Sequence, residues 1–288
     1  MKLIASDLDG TLLNMNSKVS KTNAGAIQKA IDKGIKFVVV TGRSYDAANM
    51  PLEEVGITCP IITLNGASTV DVNKNILRDI PMDISVCEKV FTACQKGRMY
   101  TEFFTNKGLF SFGRDQFIDR MTRWWKTINP DFTDEEIQQK IELRFQNESV
   151  QFIESYDQLM TTPNLKIYKL LSFAEDEESH KKVFDELKSE EGVLITSSGY
   201  LNLEFNHPDA KKGLALKELA DSMEIDMKDV MALGDNLNDK SMLEMAGRGV
   251  AMGNADKEIV SLCTYHTRTN DEDGVAFAIE EMLKEYDL

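Results

Sequence analysis

Over the first 80 residues, short apolar runs alternate with helical stripes. Ile4 to Ser6 reads as a short strand that stops abruptly at Asp7-Leu8-Asp9-Gly10-Thr11. Ser20 then suits a helix N-cap, Ile27, Ala30 and Ile31 supply one apolar face, and Gly34 ends the helix. The apolar run from Ile35 to Val40 predicts a parallel strand covered on both faces, ending at Thr41-Gly42-Arg43. A second helix is expected through about Met50. A strand follows from Pro60 to Leu64, ending at Asn65-Gly66. Val70 to Ile80 reads as a hairpin turning at Asn73-Lys74-Asn75 and leading away from the sheet.

The texture changes from about Met82. Val86, Val90, Phe91 and Cys94 mark an amphipathic helix, and Tyr100 to Phe104 with Leu109 to Phe112 predict a strand pair. Residues 113 to 147 are polar and read as helical in pieces, with Trp124-Trp125 among them. A strand from Leu165 to Phe173 follows, then a helix from Glu178 to Ser189 with Val183, Phe184 and Leu187 facing inward. Val193 to Thr196 and Tyr200 to Phe205 read as a hairpin across Ser198-Gly199. Of the 14 phenylalanines, 12 lie between Phe91 and Phe205, together with both tryptophans, so this stretch has aromatics enough for a core of its own.

The first rhythm resumes near His207. A helix from Lys212 to Met223 leads to a strand from Val230 to Leu233 ending in Gly234-Asp235; Asp239 starts another helix. Val250 to Met252 reads as a short strand and Val275 to Leu283 as the terminal helix. The fold class is therefore α/β, a doubly wound parallel sheet, interrupted by an inserted α+β domain. Residues 1–82 and 207–288 form the core, and residues 83–206 the insert. In such sheets ligands bind beyond the carboxyl ends of the strands, where the polar residues above collect.

Composition narrows the function. A formal charge of −15 argues against nucleic-acid or anionic-membrane partners, and a site for phosphate must make its own positive field locally. No apolar run reaches the length that spans a bilayer, and the N-terminus reads as a strand rather than a signal peptide. Cys59, Cys87, Cys94 and Cys263 form no C-x-x-C pair and read as reduced small hydrophobes, which suggests the cytoplasm. His180, His207 and His266 lack zinc-ligand spacing, so a metal here would take hard oxygen ligands, as Mg²⁺ does.

Asp7 should project from the strand tip and Asp9 from the turn after it, toward a common space. Two acids crowded there repel each other and cannot be buried ionised without a partner. A divalent cation answers that need; a solvated Asp-rich turn is the plain alternative. Thr41 suits either a helix N-cap or a hydroxyl donated to a phosphoryl oxygen. Trp124 and Trp125 suit either a core or a stacking surface for a sugar or base.

Asp7-Leu8-Asp9-Gly10-Thr11, Thr41-Gly42-Arg43, Lys212-Gly213 and Gly234-Asp235-Asn236-Leu237-Asn238-Asp239 together resemble the motif series of the haloacid dehalogenase-like phosphohydrolases. With its long insert, the chain resembles the Cof-type sugar-phosphate phosphatases, subclass IIB with a C2 cap. The resemblance implies that Asp7 is a nucleophile passing through an aspartyl-phosphate, and that Asp9 is the acid and then the base. It implies an Mg²⁺ site made by Asp7, Asp235 and the backbone carbonyl of Asp9, with Asp239 orienting ligands from close by. Lys212 would bridge to phosphate, its neighbour Lys211 being the local rival. Thr41, Gly42, Arg43, Asn65 and Asn238 would complete the substrate contacts.

The expected activity is Mg²⁺-dependent hydrolysis of a small phosphorylated metabolite, with the insert setting specificity as a hinged lid. The chain is expected to be a monomer or small homo-oligomer. A sugar phosphomutase and a phosphoacceptor switch are the competing readings, and a catalytically dead metal-binding regulator is the weakest.

Overall fold

The computed structural model describes residues 1–148, 150–197 and 199–286. The chain divides into two compact units, one of Met1–Asp79 with Asp209–Leu288 and one of Ile80–Pro208. The first unit opens with β1 (Leu3–Ser6), α1 (Lys21–Asp32), β2 (Lys36–Val40), α2 (Tyr45–Glu53), β3 (Ile61–Thr63), β4 (Ser68–Val70) and β5 (Ile76–Asp79). The inserted unit contributes α3 (Ile84–Lys96), β6 (Tyr100–Thr105), β7 (Gly108–Phe112), α4 (Arg114–Ile128), α5 (Asp134–Asn147) and β8 (Val150–Ile153). It continues with α6 (Tyr156–Met160), β9 (Ile167–Phe173), α7 (Glu177–Leu187), β10 (Leu194–Thr196) and β11 (Asn202–Asn206). The first unit resumes with α8 (Lys212–Ser222), β12 (Val230–Gly234), α9 (Lys240–Met245), β13 (Arg248–Ala251), α10 (Lys257–Leu262), β14 (Tyr265–His266) and α11 (Gly274–Glu285).

Strands of the first unit lie in the order β14-β13-β12-β1-β2-β3-β4-β5, parallel from β14 to β3. Side chains of β1 alternate between two cores. Ile4 joins Leu8, Ile27, Val39, Leu233 and Ile279 on one face, while Leu3 and Ala5 join Val38, Leu216 and Ala232 on the other. Burial on both faces is what a parallel strand needs, and it makes this a doubly wound α/β sheet, as the alternation predicts. Ser20 caps α1 as expected, its hydroxyl accepting from the Asn23 N–H at 3.0 Å.

Several expectations change. The hairpin of residues 70–80 does not leave the sheet: β4 and β5 pair antiparallel beyond β3 and extend its edge. Leu77 and Ile76 sit exposed there, as an edge strand permits. Ser44, not Thr41, is the residue before α2. In the inserted unit Val183 and Leu187 are buried, but Phe184 is 40% exposed. It lies one residue, about 100°, from Val183 on the helix, at the margin of the apolar stripe.

The inserted unit is α+β, with strands in the order β10-β11-β9-β6-β7-β8. Its pairs are antiparallel except β7 with β8, a strand that the polar stretch before it hid from the sequence pattern. A core of Phe91, Phe103, Leu170, Val183 and Phe205 joins its sheet to α3 and α7. Trp124 packs edge-on against Trp125 and Phe173, and its indole N–H donates to the Tyr200 carbonyl at 3.2 Å. The turn expected at Ser198-Gly199 falls partly on residue 198, outside the described residues.

The four cysteines are buried and free. Burial pushes the Cys59 and Cys87 thiols up to about 12 and Cys94 to about 11, so they behave as small hydrophobes. No helix of the described residues is long and apolar enough to cross a membrane.

Candidate active site

The site grows from one feature of the sheet: β1, flanked by β2 and β12, ends within one residue of both. Ser6 pairs with Val39 on one side and Leu233 on the other. Residues just past these ends are therefore neighbours, however far apart in sequence. Asp7 extends the ladder by one bond, its N–H donating to the Leu233 carbonyl at 3.0 Å, and its side chain is buried. Gly10 then turns the chain with φ +72°, a left-handed conformation that favours glycine. A β-carbon there would also collide with the Asp235 carboxylate, so the turn lets the backbone lie against that acid. Asn254 secures the turn by donating its side-chain N–H to the Gly10 carbonyl at 2.8 Å.

Lys212, the first residue of α8, is buried with its ammonium 2.6 Å from Asp7 Oδ1 and 2.6 Å from Asp239 Oδ1. Lys211 is exposed, which separates it from its neighbour. Asp239 is held at both ends. Its Oδ2 accepts from the Asp235 and Asn236 N–H groups at 3.0 Å each, while Asn236 and Asp239 form a capping box. The Asx-rich turn and the acid site are thus one structure. Thr11, fully buried, donates its hydroxyl to Asp235 Oδ1 at 2.8 Å.

Asp7, Asp235 and Asp239 bring carboxylate oxygens within 4.8 Å of one another. Against these three acids stands the buried ammonium of Lys212, so with all three ionised the cluster would carry an excess of two negative charges. The strain shows in the acids. Burial, then Asp239, push the Asp7 carboxyl well above the carboxylate range despite Lys212. Burial and Asp239 raise Asp235 to about 7. For Lys212, burial works against the charge, but Asp239 and Asp7 outweigh it and raise its pKa. One divalent cation has the missing charge, and oxygen-only donors suit Mg²⁺. Asn238 Oδ1 at the rim is a buried acceptor with no hydrogen-bond partner, as a position facing a bound ion's water or a ligand would be.

The remaining expected residues fall into place unequally. Thr41 is fully buried at the end of β2, its hydroxyl oxygen accepting from the Arg43 N–H at 3.1 Å. Gly42 lies half-buried beside it in the loop before α2. Asn65 is buried after β3 with φ 60°, and Asn238 donates to its side chain at 3.4 Å. Asp9 departs most from expectation. Its carboxylate is 59% exposed and forms a two-pronged ion pair with Arg43, at 2.6 and 2.8 Å, rather than joining Asp7. Sequence reasoning had no signal for this pairing, nor for the grip of Thr11 on Asp235 or of Asn254 on the Gly10 turn.

The chain matches the family model of haloacid dehalogenase-like hydrolases over residues 4–279. It is 34% identical to the phosphatase YwpJ of Bacillus subtilis over 98% of this chain and 100% of that one. It is 34% identical to the 5-amino-6-(5-phospho-D-ribitylamino)uracil phosphatase YwtE of the same organism, over 98% of each chain. Among solved structures it is similar to a haloacid dehalogenase-like hydrolase from B. subtilis. The TM-score is 0.89 and the identity 33%, over 98% of this chain and 100% of the other.

Proposed function

The chain belongs to the haloacid dehalogenase-like hydrolases and is a phosphatase, and we propose that it hydrolyses small phosphate monoesters through Asp7 with the help of Mg²⁺. The observation that carries the proposal is the buried Asp7–Lys212–Asp239 chain beside Asp235, three acids with one ammonium among them.

In this reading an Asp7 carboxylate oxygen attacks phosphorus, forming an aspartyl-phosphate, as the ester oxygen leaves with a proton from Asp9. The Asp9 carboxylate then takes a proton from water as that water attacks phosphorus, which releases phosphate and restores Asp7. Asp9 therefore has to leave Arg43, so the ion pair between them describes a resting arrangement. Lys212 fixes Asp7 and stabilises charge on the transferring group, and the Thr41 hydroxyl donates to a phosphoryl oxygen. Asp7, Asp235 and the Asp9 carbonyl would hold Mg²⁺, with Asp239 orienting the loop that carries Asp235. When bound, the ion keeps the acids ionised and draws the phosphoryl oxygens to Asp7.

YwtE is named for a phosphorylated ribityl chain on a uracil ring, and a sugar or polyol phosphate is the substrate class we assign here. The insert of residues 80–208 is assigned the choice of ester, and the cytoplasm the location. Phosphate release from a panel of phosphorylated metabolites, with Mg²⁺ or with excess EDTA, tests this reading. Mg²⁺-dependent multiple turnover on sugar or polyol phosphates is expected. Full turnover in EDTA with metal removal confirmed, or a long-lived phosphoprotein without turnover, contradicts it.

A further inference from the structure

One buried cation of the first unit has no part in the chemistry above. Arg78, in β5, has a side chain only 6% exposed. Its Nε donates to the Gly66 carbonyl at 2.8 Å, one terminal nitrogen donates to the Asp209 carbonyl at 2.6 Å, and the other pairs with Glu218 of α8. These acceptors belong to three segments, and each bears on the site.

Gly66 closes a run of three left-handed residues, Leu64 (φ 52°), Asn65 (φ 60°) and Gly66 (φ 99°). Leucine and asparagine pay strain in that conformation, so the turn needs outside restraint. It is stitched to the end of β2, with the Asn65 N–H donating to the Thr41 carbonyl at 3.0 Å and the Leu64 N–H to Arg43 at 3.0 Å. A β-carbon on Gly66 would strike the Lys211 carbonyl, so the turn lies directly against the backbone that leads into Lys212. Asp209 begins that same stretch, and Glu218 lies farther along the helix that Lys212 starts. One planar guanidinium thus ties the turn presenting Asn65 to the segment presenting Lys212.

We propose that Arg78 is a positioning residue, whose guanidinium holds the Leu64–Gly66 turn against the Asp209–Lys212 segment so that Lys212 meets Asp7 in register. The inference rests on the phosphatase reading of that site. Arginine suits the task because its fork reaches three acceptors at fixed angles and stays charged when buried. A lysine keeps the charge but is a compact donor on a flexible stem, too short to reach all three.

The test uses the full chain with Mg²⁺ and 4-nitrophenyl phosphate. Arg78→Met keeps the apolar stem and removes the fork. It should lower kcat about tenfold, since misplacement by a fraction of an ångström is costly. KM should change less than about twofold, because the displaced groups serve the transferring phosphoryl group rather than the leaving group. Arg78→Lys should recover part of that loss. Hydrogen exchange at the Asn65, Ala67 and Lys211 amides, each bonded within this assembly, should quicken in Arg78→Met. Arg248→Met is the control: Arg248 is also buried and ion-paired, with Glu285, but at the start of β13, the end of the sheet away from the site. That control should lower Tm and keep kcat.

Wild-type kcat in Arg78→Met, unchanged exchange at those amides, or an equal kcat loss in Arg248→Met overturns the proposal. If Arg78→Met does not fold, Arg78→Lys and Glu218→Gln decide by the same kcat and exchange readings. A wild-type chain that releases no phosphate overturns the phosphatase reading instead, and exchange in Arg78→Met still shows whether Arg78 joins the two segments.

Discussion

Lys212 Nζ sits 2.6 Å from Asp7 Oδ1, although 205 positions separate the two residues. The contact exists because β1 and the helix start at Lys212 meet at one end of the sheet. Both partners are buried, so removing the ammonium strands Asp7 and Asp239 without a cation. Lys212→Met should cost about 3–5 kcal/mol of stability, as broken buried pairs do. It should also cut kcat at least about a hundredfold, as loss of a transition-state charge partner does. Denaturant unfolding and steady-state kinetics on one preparation check both. Unchanged kcat would remove Lys212 from the chemistry.

Gly10 is the backbone counterpart of that contact. Gly10→Ala places a methyl group against the Asp235 carboxylate and holds alanine at φ +72°. The backbone penalty alone is about 1–2 kcal/mol, and Asp235 must shift as well. The Mg²⁺ concentration for half-maximal activity should therefore rise more than KM for the ester. Metal titration of the variant gives the answer, and an unchanged Mg²⁺ requirement would contradict the packing argument.

Metal identity should matter. Mg²⁺ prefers octahedral coordination at about 2.0–2.1 Å, whereas Ca²⁺ takes more ligands at longer distances. Ca²⁺ should bind the same acids, misplace Asp7 and inhibit. Either ion should raise Tm by binding only the folded chain. Activity with Ca²⁺ equal to that with Mg²⁺ would show that the geometry around Asp7 is not selective.

Glu102 gives the inserted unit a pH dependence of its own. It is fully buried beside Arg144, and burial, only partly offset by Arg144, raises its carboxyl pKa above the ordinary 4.5. The folded state therefore binds this proton more tightly than the unfolded state. Its contribution is complete below 4.5 and is lost as pH rises through the raised folded value. Relative to Glu102→Gln, the wild-type Tm should fall as pH rises above the ordinary carboxyl value of 4.5 and through the raised folded one. A gap moving in favour of the wild type over that range would reverse the sign.

Residues legible in the sequence were those whose position is set by strand ends. Asp7, Thr41, Asn65 and Asp235 each follow an apolar run, and parallel runs of similar length must end side by side. Partner choice was not legible. Nothing local to Arg43 says that it pairs with Asp9, and nothing local to Thr11 says that it reaches Asp235, because both are tertiary contacts across loops. The β4–β5 hairpin misled because strong turn residues mark a hairpin without saying which sheet it joins. β8 escaped because four residues, one of them glutamine, carry too little periodicity after two polar helices. Phe184 shows the same limit at a helix margin, where one 100° step separates buried from exposed.

The central claim is that the Asp7 carboxylate attacks phosphorus. Its most direct measurement is kcat of Asp7→Asn with Mg²⁺ on the best ester of the wild type, with mass spectrometry confirming that the amide has not reverted to acid. The change scarcely alters volume, yet removes the anionic nucleophile and a metal ligand. A fall of at least about a thousandfold is the expected result, as for other essential catalytic groups. Retention of about a tenth of wild-type activity would show that some other group makes the bond to phosphorus.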